Sequence, residues 1–346
     1  MKRCVVHIGT SKTGTTSLQM RLARNRADLL DHGVLYPDLG NRPNHLHADL
    51  SRHFAGTARP VEGKTAFERL TREIAANPHE TLLLSSEGFF GFEDAAGAPE
   101  RLAGFCRAAG YRLEAVVVLR PQADYMNSVY VQGVKLLNDS RRFAAFFEPA
   151  LIGDRFDYEA RLRQWHDHPE IGLTAVPYAP SVLESGLDRA VFAAMGLSED
   201  VIENLVAREM ADRNVTPGPN AVEVFRRIAA ATGGRRVPGN AGIRKKVLAL
   251  AGKKGWNAVK FQGLDTTMLR RVGRRYGESN RIVAQHLWGQ DWDEVYAGST
   301  IAERNEFVPE TAPEGLNHEI SKIADGLIKE IQPGPGWLGR RRSALG

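Results

Sequence analysis

The first seventeen residues constrain the fold most strongly, because the pattern changes twice within them. Cys4-Val5-Val6-His7-Ile8 reads as a short buried strand. GTSKTGTTS follows from Gly9 to Ser17, and Thr16 to about Leu30 has helical spacing, with Leu18, Leu22, Leu29 and Leu30 on one broad apolar face. A strand that turns through glycines into a helix start presents successive backbone N–H groups and aims the positive helix end into the same space. That arrangement suits a phosphate-like anion. Gly9 and Gly14 stand five apart, as in the phosphate loop G-x-x-x-x-G-K-[ST], yet Thr15 occupies the lysine position and the lysine sits earlier, at Lys12. This departure speaks against an ordinary ATPase or GTPase. Thr13, Thr15, Thr16 and Ser17 add more hydroxyls than helix capping requires.

Beyond the loop, short apolar runs alternate with helical patterns. Gly33 to Pro37 is a short extended piece, Thr65 to Ala76 is helical up to the stop signal Asn77-Pro78, and Thr81 to Ser85 reads as a second buried strand. A helix over Pro99 to Ala109 with Gly110 as its terminator precedes the strongest strand, Leu113 to Leu119. Helices over Gln122 to about Lys135 and Tyr158 to His166 flank it on the C-terminal side, and Leu173 to Val176 is a fourth strand. Alternating strands and helices predict a parallel sheet of about four or five strands covered on both faces. From about Leu187 the chain reads as helices and loops, broken at Thr216-Pro217-Gly218-Pro219 and at Gly233-Gly234.

Hydrophobic content of 42% and charged content of 25% are those of an ordinary globular protein, so the 346 residues are expected to fold. The start leaves no room for the apolar region of a signal peptide, and no apolar run reaches about 18 residues, which makes a cytoplasmic location the default expectation. Cys4 and Cys106 form neither a zinc pattern nor a disulfide framework and read as buried structural thiols. The net charge of +5 fits an acidic ligand. Its basic residues crowd from Arg235 and Arg236 through Arg244, Lys245, Lys246, Lys253 and Lys254 to Lys260, and again at Arg340-Arg341-Arg342. Without interleaved aromatics or a recognisable motif, they give no reason to expect a nucleic-acid partner.

The loop GTSKTGTTS resembles the 5′-phosphosulfate loop of the PAPS-dependent sulfotransferases, in particular their bacterial and carbohydrate-acting branch. PAPS is 3′-phosphoadenosine-5′-phosphosulfate. A second stretch, VVVLRPQADYMNSVY, is similar to the family's 3′-phosphate signature: Arg120 closes the strongest strand and Ser128 follows eight residues later. The resemblance covers about residues 1 to 190. It implies a P-loop nucleotide-kinase-like three-layer fold with additional C-terminal helices. The expected organisation is one domain over residues 1–300, with the motifs inside 1–190 and a helical part from about 187 to 300, followed by an extension or tail over 301–346. It further implies a sulfotransferase that moves a sulfuryl group from PAPS to a hydroxyl, or less readily an amine, of a carbohydrate or glycolipid acceptor, and requires no metal. Ser11, Lys12, Thr13, Gly14, Thr15, Thr16 and Ser17, with Arg120 and Ser128, are the expected donor-binding residues, and Lys12 is the expected catalytic cation.

A base must take the acceptor's proton. Glu87, in LLLSSEGFF, follows the second strand, and Phe89, Phe90 and Phe92 stand ready to desolvate it. Glycan-modifying members of the family use a glutamate in this role. The rivals are His47 and His45 in NRPNHLHADL, since cytosolic members use a histidine. A third ligand that would turn this His-x-His into a metal site is missing. His7 reads as a packed strand residue, and Tyr158, Leu162 and Trp165 as core at helical spacing. Ser85 and Ser86 are candidates to line the site. The segment 235–260 is either a solvated helical face or a surface for an anionic glycan or a membrane carrying a glycolipid, a peripheral contact. A P-loop kinase using ATP and magnesium, and a non-catalytic nucleotide-binding protein, remain the alternative readings.

Overall fold

The computed structural model describes residues 1–40, 45–58, 65–91, 97–207, 215–234 and 240–331. Among these, β1 (Lys2–Gly9), β2 (Val34–Leu35), β3 (Thr81–Ser85), β4 (Tyr111–Leu119) and β5 (Ile171–Pro177) form one sheet, all pairs parallel, in the order β2-β3-β1-β4-β5. β1, β3, β4, β5 and the α/β class are those the sequence predicts, and β2 falls within the extended piece Gly33 to Pro37. Parallel neighbours need long crossovers, which the intervening helices supply. The crossover after β1 leads to the edge strand β2 and the chain returns to β3, after which it passes to the other side of β1 to build β4 and β5. The paths leaving β1 and β4 therefore diverge, and a sheet of this kind binds ligands at the carboxyl ends of the strands beside such a divergence.

Up to residue 135 the described residues form the helices α1 (Thr15–Arg24), α2 (Arg26–Asp31), α3 (Ala48–Ala55), α4 (Ala66–Ala76), α5 (Gly88–Gly91), α6 (Ala98–Ala108) and α7 (Gln122–Lys135). The single helix expected from Thr16 to Leu30 is interrupted at Asn25, whose side-chain amide donates to the Arg21 carbonyl at 2.7 Å. Such a local bond offers the backbone an alternative to the next helical turn. α4 begins with a capping box: Thr65 Oγ1 accepts from the Glu68 N–H, and the Glu68 carboxylate accepts from the Thr65 N–H at 2.7 Å.

By the contact pattern the chain divides into two compact units. The first comprises residues 1–122, 153–211 and 274–300, the second residues 123–152, 212–273 and 301–346. The first unit holds the sheet. Val5, Leu83, Val116 and Val118 pack with Leu18 and Leu22 of α1 and with Phe192 and Met195 of the helix that starts at Leu187. α6 packs on β4, where Cys106 meets Cys4 of β1; both thiols are buried, as expected, and their hydrogen bond, then burial, pushes the Cys4 thiol up. Tyr158, Leu162 and Trp165 are buried core residues on the helix Tyr158–His166.

The second unit is helical. Tyr130 of α7 sits among Phe143, Phe146 and Phe261, with ring centroids 5.1 to 5.4 Å apart. The helix Asn240–Lys253 buries Ile243, Val247 and Ala251, so its basic residues fall on the outward side. Lys246 and Lys254 form ion pairs with Glu330 and Glu319. Phe92, Arg235, Arg236 and the tail with Arg340, Arg341 and Arg342 lie outside the described residues. No described helix is long and apolar enough to cross a membrane.

Candidate active site

The loop after β1 is built from the strand outward. Thr10 is completely buried and stitches the loop to β4, its N–H donating to the Val118 carbonyl at 3.0 Å and its hydroxyl at 2.9 Å. The Thr13 hydroxyl donates to the Thr10 carbonyl at 2.6 Å, closing the turn on itself. Lys12 (φ 70) and Gly14 (φ 78) both adopt the left-handed conformation. Glycine tolerates that at 14, while Lys12 is held there at a cost of about 1 kcal/mol. Gly9 is needed for a different reason, close approach: an added Cβ would lie 3.4 Å from Glu87 Cα and from Phe90 Cβ.

α1 then starts with no side-chain cap on Gly14 and no acidic residue in its first turn. The first N–H groups of a helix lack intrahelical partners, so this end presents donors and a partial positive charge to whatever sits above it. The donor set fits an oxyanion. Two hydroxyls expected to face that anion are directed elsewhere: Thr13 to Thr10, and Ser17 toward Asp188 at 3.4 Å. Asp188 is itself paired with Arg21 at 2.8 Å. Thr13 and Thr15 are buried, Ser11, Lys12 and Ser17 are half-buried, and Gly14 and Thr16 are exposed.

Arg120 stands at the end of β4, beside the loop. Its guanidinium donates to the Lys12 carbonyl at 2.7 Å and lies over the Tyr178 ring at 4.8 Å. The strand end is fixed by Tyr158, whose hydroxyl donates to the Arg120 carbonyl at 2.6 Å, and by Tyr296, whose hydroxyl donates to the Leu119 carbonyl at 2.7 Å. Lys12 and Arg120, 108 residues apart, are thus brought together. Ser128 is half-buried in the second turn of α7 and belongs to the second unit.

Glu87 follows β3 and packs against Gly9, the first residue of the loop. Its carboxylate accepts from the Gln19 amide of α1 at 3.2 Å. The same amide nitrogen reaches Ser85 Oγ at 3.1 Å, and Ser85 Oγ is 2.8 Å from His7 Nδ1. His7, Gln19 and Ser85 are completely buried. Burial holds the His7 imidazole down at about 4, against a smaller upward pull from the Glu87 charge, so the ring is neutral near pH 7. Ser86, also buried, contacts the Ser51 hydroxyl at 3.2 Å and accepts from the Gly88 N–H at 3.1 Å, so it serves the turn into α5.

The histidine candidates separate. His47 Nδ1 accepts from the Ser85 N–H at 3.0 Å, which leaves the proton on Nε2 to donate to the Pro37 carbonyl at 3.0 Å. Burial pushes its imidazole down to about 4. The expectation that His47 acts as the base is therefore corrected: with both nitrogens engaged by backbone and the ring buried, it ties the segment after β2 to β3. His45 is half-buried. Its carbonyl accepts from the Tyr36 hydroxyl at 2.6 Å, and burial lowers its imidazole while the Glu87 charge raises it. Among the described residues no group of His, Cys, Asp and Glu is arranged to hold a metal ion.

Sequence reasoning missed Gln19 and Tyr178. Gln19 had a visible signal, a polar residue on the stripe shared by Leu18 and Leu22, where a buried amide must find partners. Tyr178 had none, because its contact with Arg120 crosses from β4 to the end of β5. Comparisons of the chain with family models, curated proteins and solved structures found no match.

Proposed function

We propose that this chain is a PAPS-dependent sulfotransferase of P-loop-kinase-like architecture, acting on a hydroxyl of a carbohydrate or glycolipid. The observation that carries the reading is the joining of two elements suited to anions at the divergence of β1 and β4: a helix start without a side-chain cap behind the Lys12 loop, and Arg120 bonded to that loop's own backbone. Loop N–H groups and Lys12 would hold the 5′ side of the donor, and Arg120 its 3′-phosphate. The donor supplies an electrophilic sulfuryl group on a phosphate leaving group. In sulfuryl transfer, as in phosphoryl transfer, the protein's work is to position the reactants and to offset charge.

Glu87 takes the acceptor's proton in this reading. It lies next to the loop and is held by a neutral amide, which orients the carboxylate without pairing it to a cation. Isothermal titration with 3′-phosphoadenosine-5′-phosphate, against ADP and against ATP with magnesium, tests the donor. Metal-independent binding that prefers the 3′-phosphate, and that weakens about 10–100-fold in Arg120→Ala through loss of a charge-assisted contact, is the expected result. Preference for ATP with magnesium would overturn it in favour of a kinase.

A further inference from the structure

We infer that Gln19 is a positioning residue for the Glu87 carboxylate, and that Ser85 and His7 beneath it fix the orientation of its amide. The inference rests on the reading of Glu87 as the base. An amide NH₂ has two hydrogens, and here each has an acceptor: Glu87 Oε2 at 3.2 Å and Ser85 Oγ at 3.1 Å. Rotating the amide by half a turn would face its carbonyl oxygen to the carboxylate, which charge repulsion opposes; with the Ser85 hydroxyl donating to His7 Nδ1, Ser85 offers the amide only lone pairs, and so opposes the turn as well. Ser85 is in turn anchored by His7 Nδ1 at 2.8 Å. α1, which carries the uncapped end behind Lys12, thus also carries the group that aims Glu87, so one helix sets both halves of the reaction geometry.

The chain of contacts is electrically neutral. His7 is uncharged near pH 7, and the Glu87 charge acts on His7 on β1 and on Tyr36 and His45 beyond β2. Arginine or lysine in place of Gln19 would also aim the carboxylate, but would depress its pKa and with it the basicity the reaction needs. The three buried polar side chains His7, Gln19 and Ser85 cost desolvation that an apolar core would avoid, and the contacts among them offset it.

The test follows the Glu87 carboxyl by carbon-13 NMR of protein labelled at glutamate side-chain carboxyls, the signal being assigned by its loss in Glu87→Gln. Removing the amide donor in Gln19→Met should raise the Glu87 titration midpoint, since the lost bond favoured the ionised form. Ser85→Ala, which frees the amide to turn, should raise it by less. Gln19→Asn, too short to span both acceptors, should reproduce the Met result and serves if Gln19→Met does not fold. An unchanged midpoint in any Gln19 variant that melts like wild type would overturn the inference. Binding of 3′-phosphoadenosine-5′-phosphate to the wild-type chain is measured alongside: its failure would sink the sulfotransferase reading while leaving the carboxyl titration interpretable.

Discussion

Glu87 in the sheet unit and Glu223 in the helical unit are both acidic residues fixed by hydrogen bonds, and they are fixed in opposite ways. Glu223 is 3% exposed and is clamped by Arg226 and Arg227, each guanidinium 2.7 Å from one carboxylate oxygen. Arg227 also reaches Asn317 at 2.7 Å and Ser321 at 2.5 Å on the helix Glu314–Glu330. Glu87 is half-buried and takes its hydrogen bond from a neutral amide. Two guanidiniums hold the Glu223 carboxylate by charge-assisted bonds and tie it to the helix Glu314–Glu330, whereas a single neutral amide holds Glu87. The contrast separates a carboxylate paired with two cations from one held by a neutral donor within a single chain.

Charge-neutral substitutions should break the two sites differently. Glu87→Gln is expected to lower PAPS-dependent turnover by about 10²–10⁴-fold, the usual contribution of a positioned base, with unfolding stability and product affinity nearly unchanged. Glu223→Gln leaves two guanidiniums without their countercharge and should cost about 3–5 kcal/mol in denaturant unfolding, the range for breaking a buried ion pair. A large stability loss in Glu87→Gln, or none in Glu223→Gln, would erase the distinction.

Acid should also act on the sheet unit through a definite mechanism. His7 and His47 titrate at about 4 when folded, because burial disfavours their charged forms, against about 6.5 when unfolded. Between those values the unfolded chain binds more protons, so stability is whole above pH 6.5 and is lost as pH falls toward 4. Each histidine contributes on the order of 3 kcal/mol over that window at about 1.4 kcal/mol per unit. Protection factors, which divide out the intrinsic slowing of exchange in acid, should therefore fall in β1 and β3 as the buffer is taken from pH 7 to 4.5, ahead of those in the helix Pro219–Thr232. An equal fall in both would show that burial of these rings is not what acid attacks.

The strands and the loop were legible because their information is local. A run such as Leu113 to Leu119 is apolar throughout since both faces are covered, and Gly14 marks a left-handed turn by its identity alone. The break at Asn25 was less legible, since Leu29 still falls on the buried face after the helix is interrupted. The wiring of the site was not legible at all. Residues 7, 19, 85 and 87 meet only because β1 and β3 are neighbours and α1 crosses the sheet face that both share, and His47 looked like a free base until its two backbone partners, Ser85 and Pro37, were in place. Cys4 and Cys106, isolated in sequence, touch for the same kind of reason.

The smallest expected effect sharpens the comparison with two tyrosines. Tyr36 in the sheet unit donates to the His45 carbonyl at 2.6 Å, and Tyr130 in the helical unit donates to the Arg141 carbonyl at 2.9 Å; both are 1% exposed. Each hydroxyl satisfies a loop carbonyl from inside the core, so Tyr36→Phe and Tyr130→Phe should each cost about 1 kcal/mol. Their consequences for function should still differ. Tyr36 packs on His47 with ring centroids 4.6 Å apart, and losing its hydroxyl loosens the segment that carries His45 close enough to feel Glu87. Tyr36→Phe should lower turnover a few-fold and speed exchange at residues 45–50, while Tyr130→Phe leaves that segment's exchange unchanged. A matched response from both tyrosines would mean that the segment after β2 contributes stability alone and has no part in arranging the site.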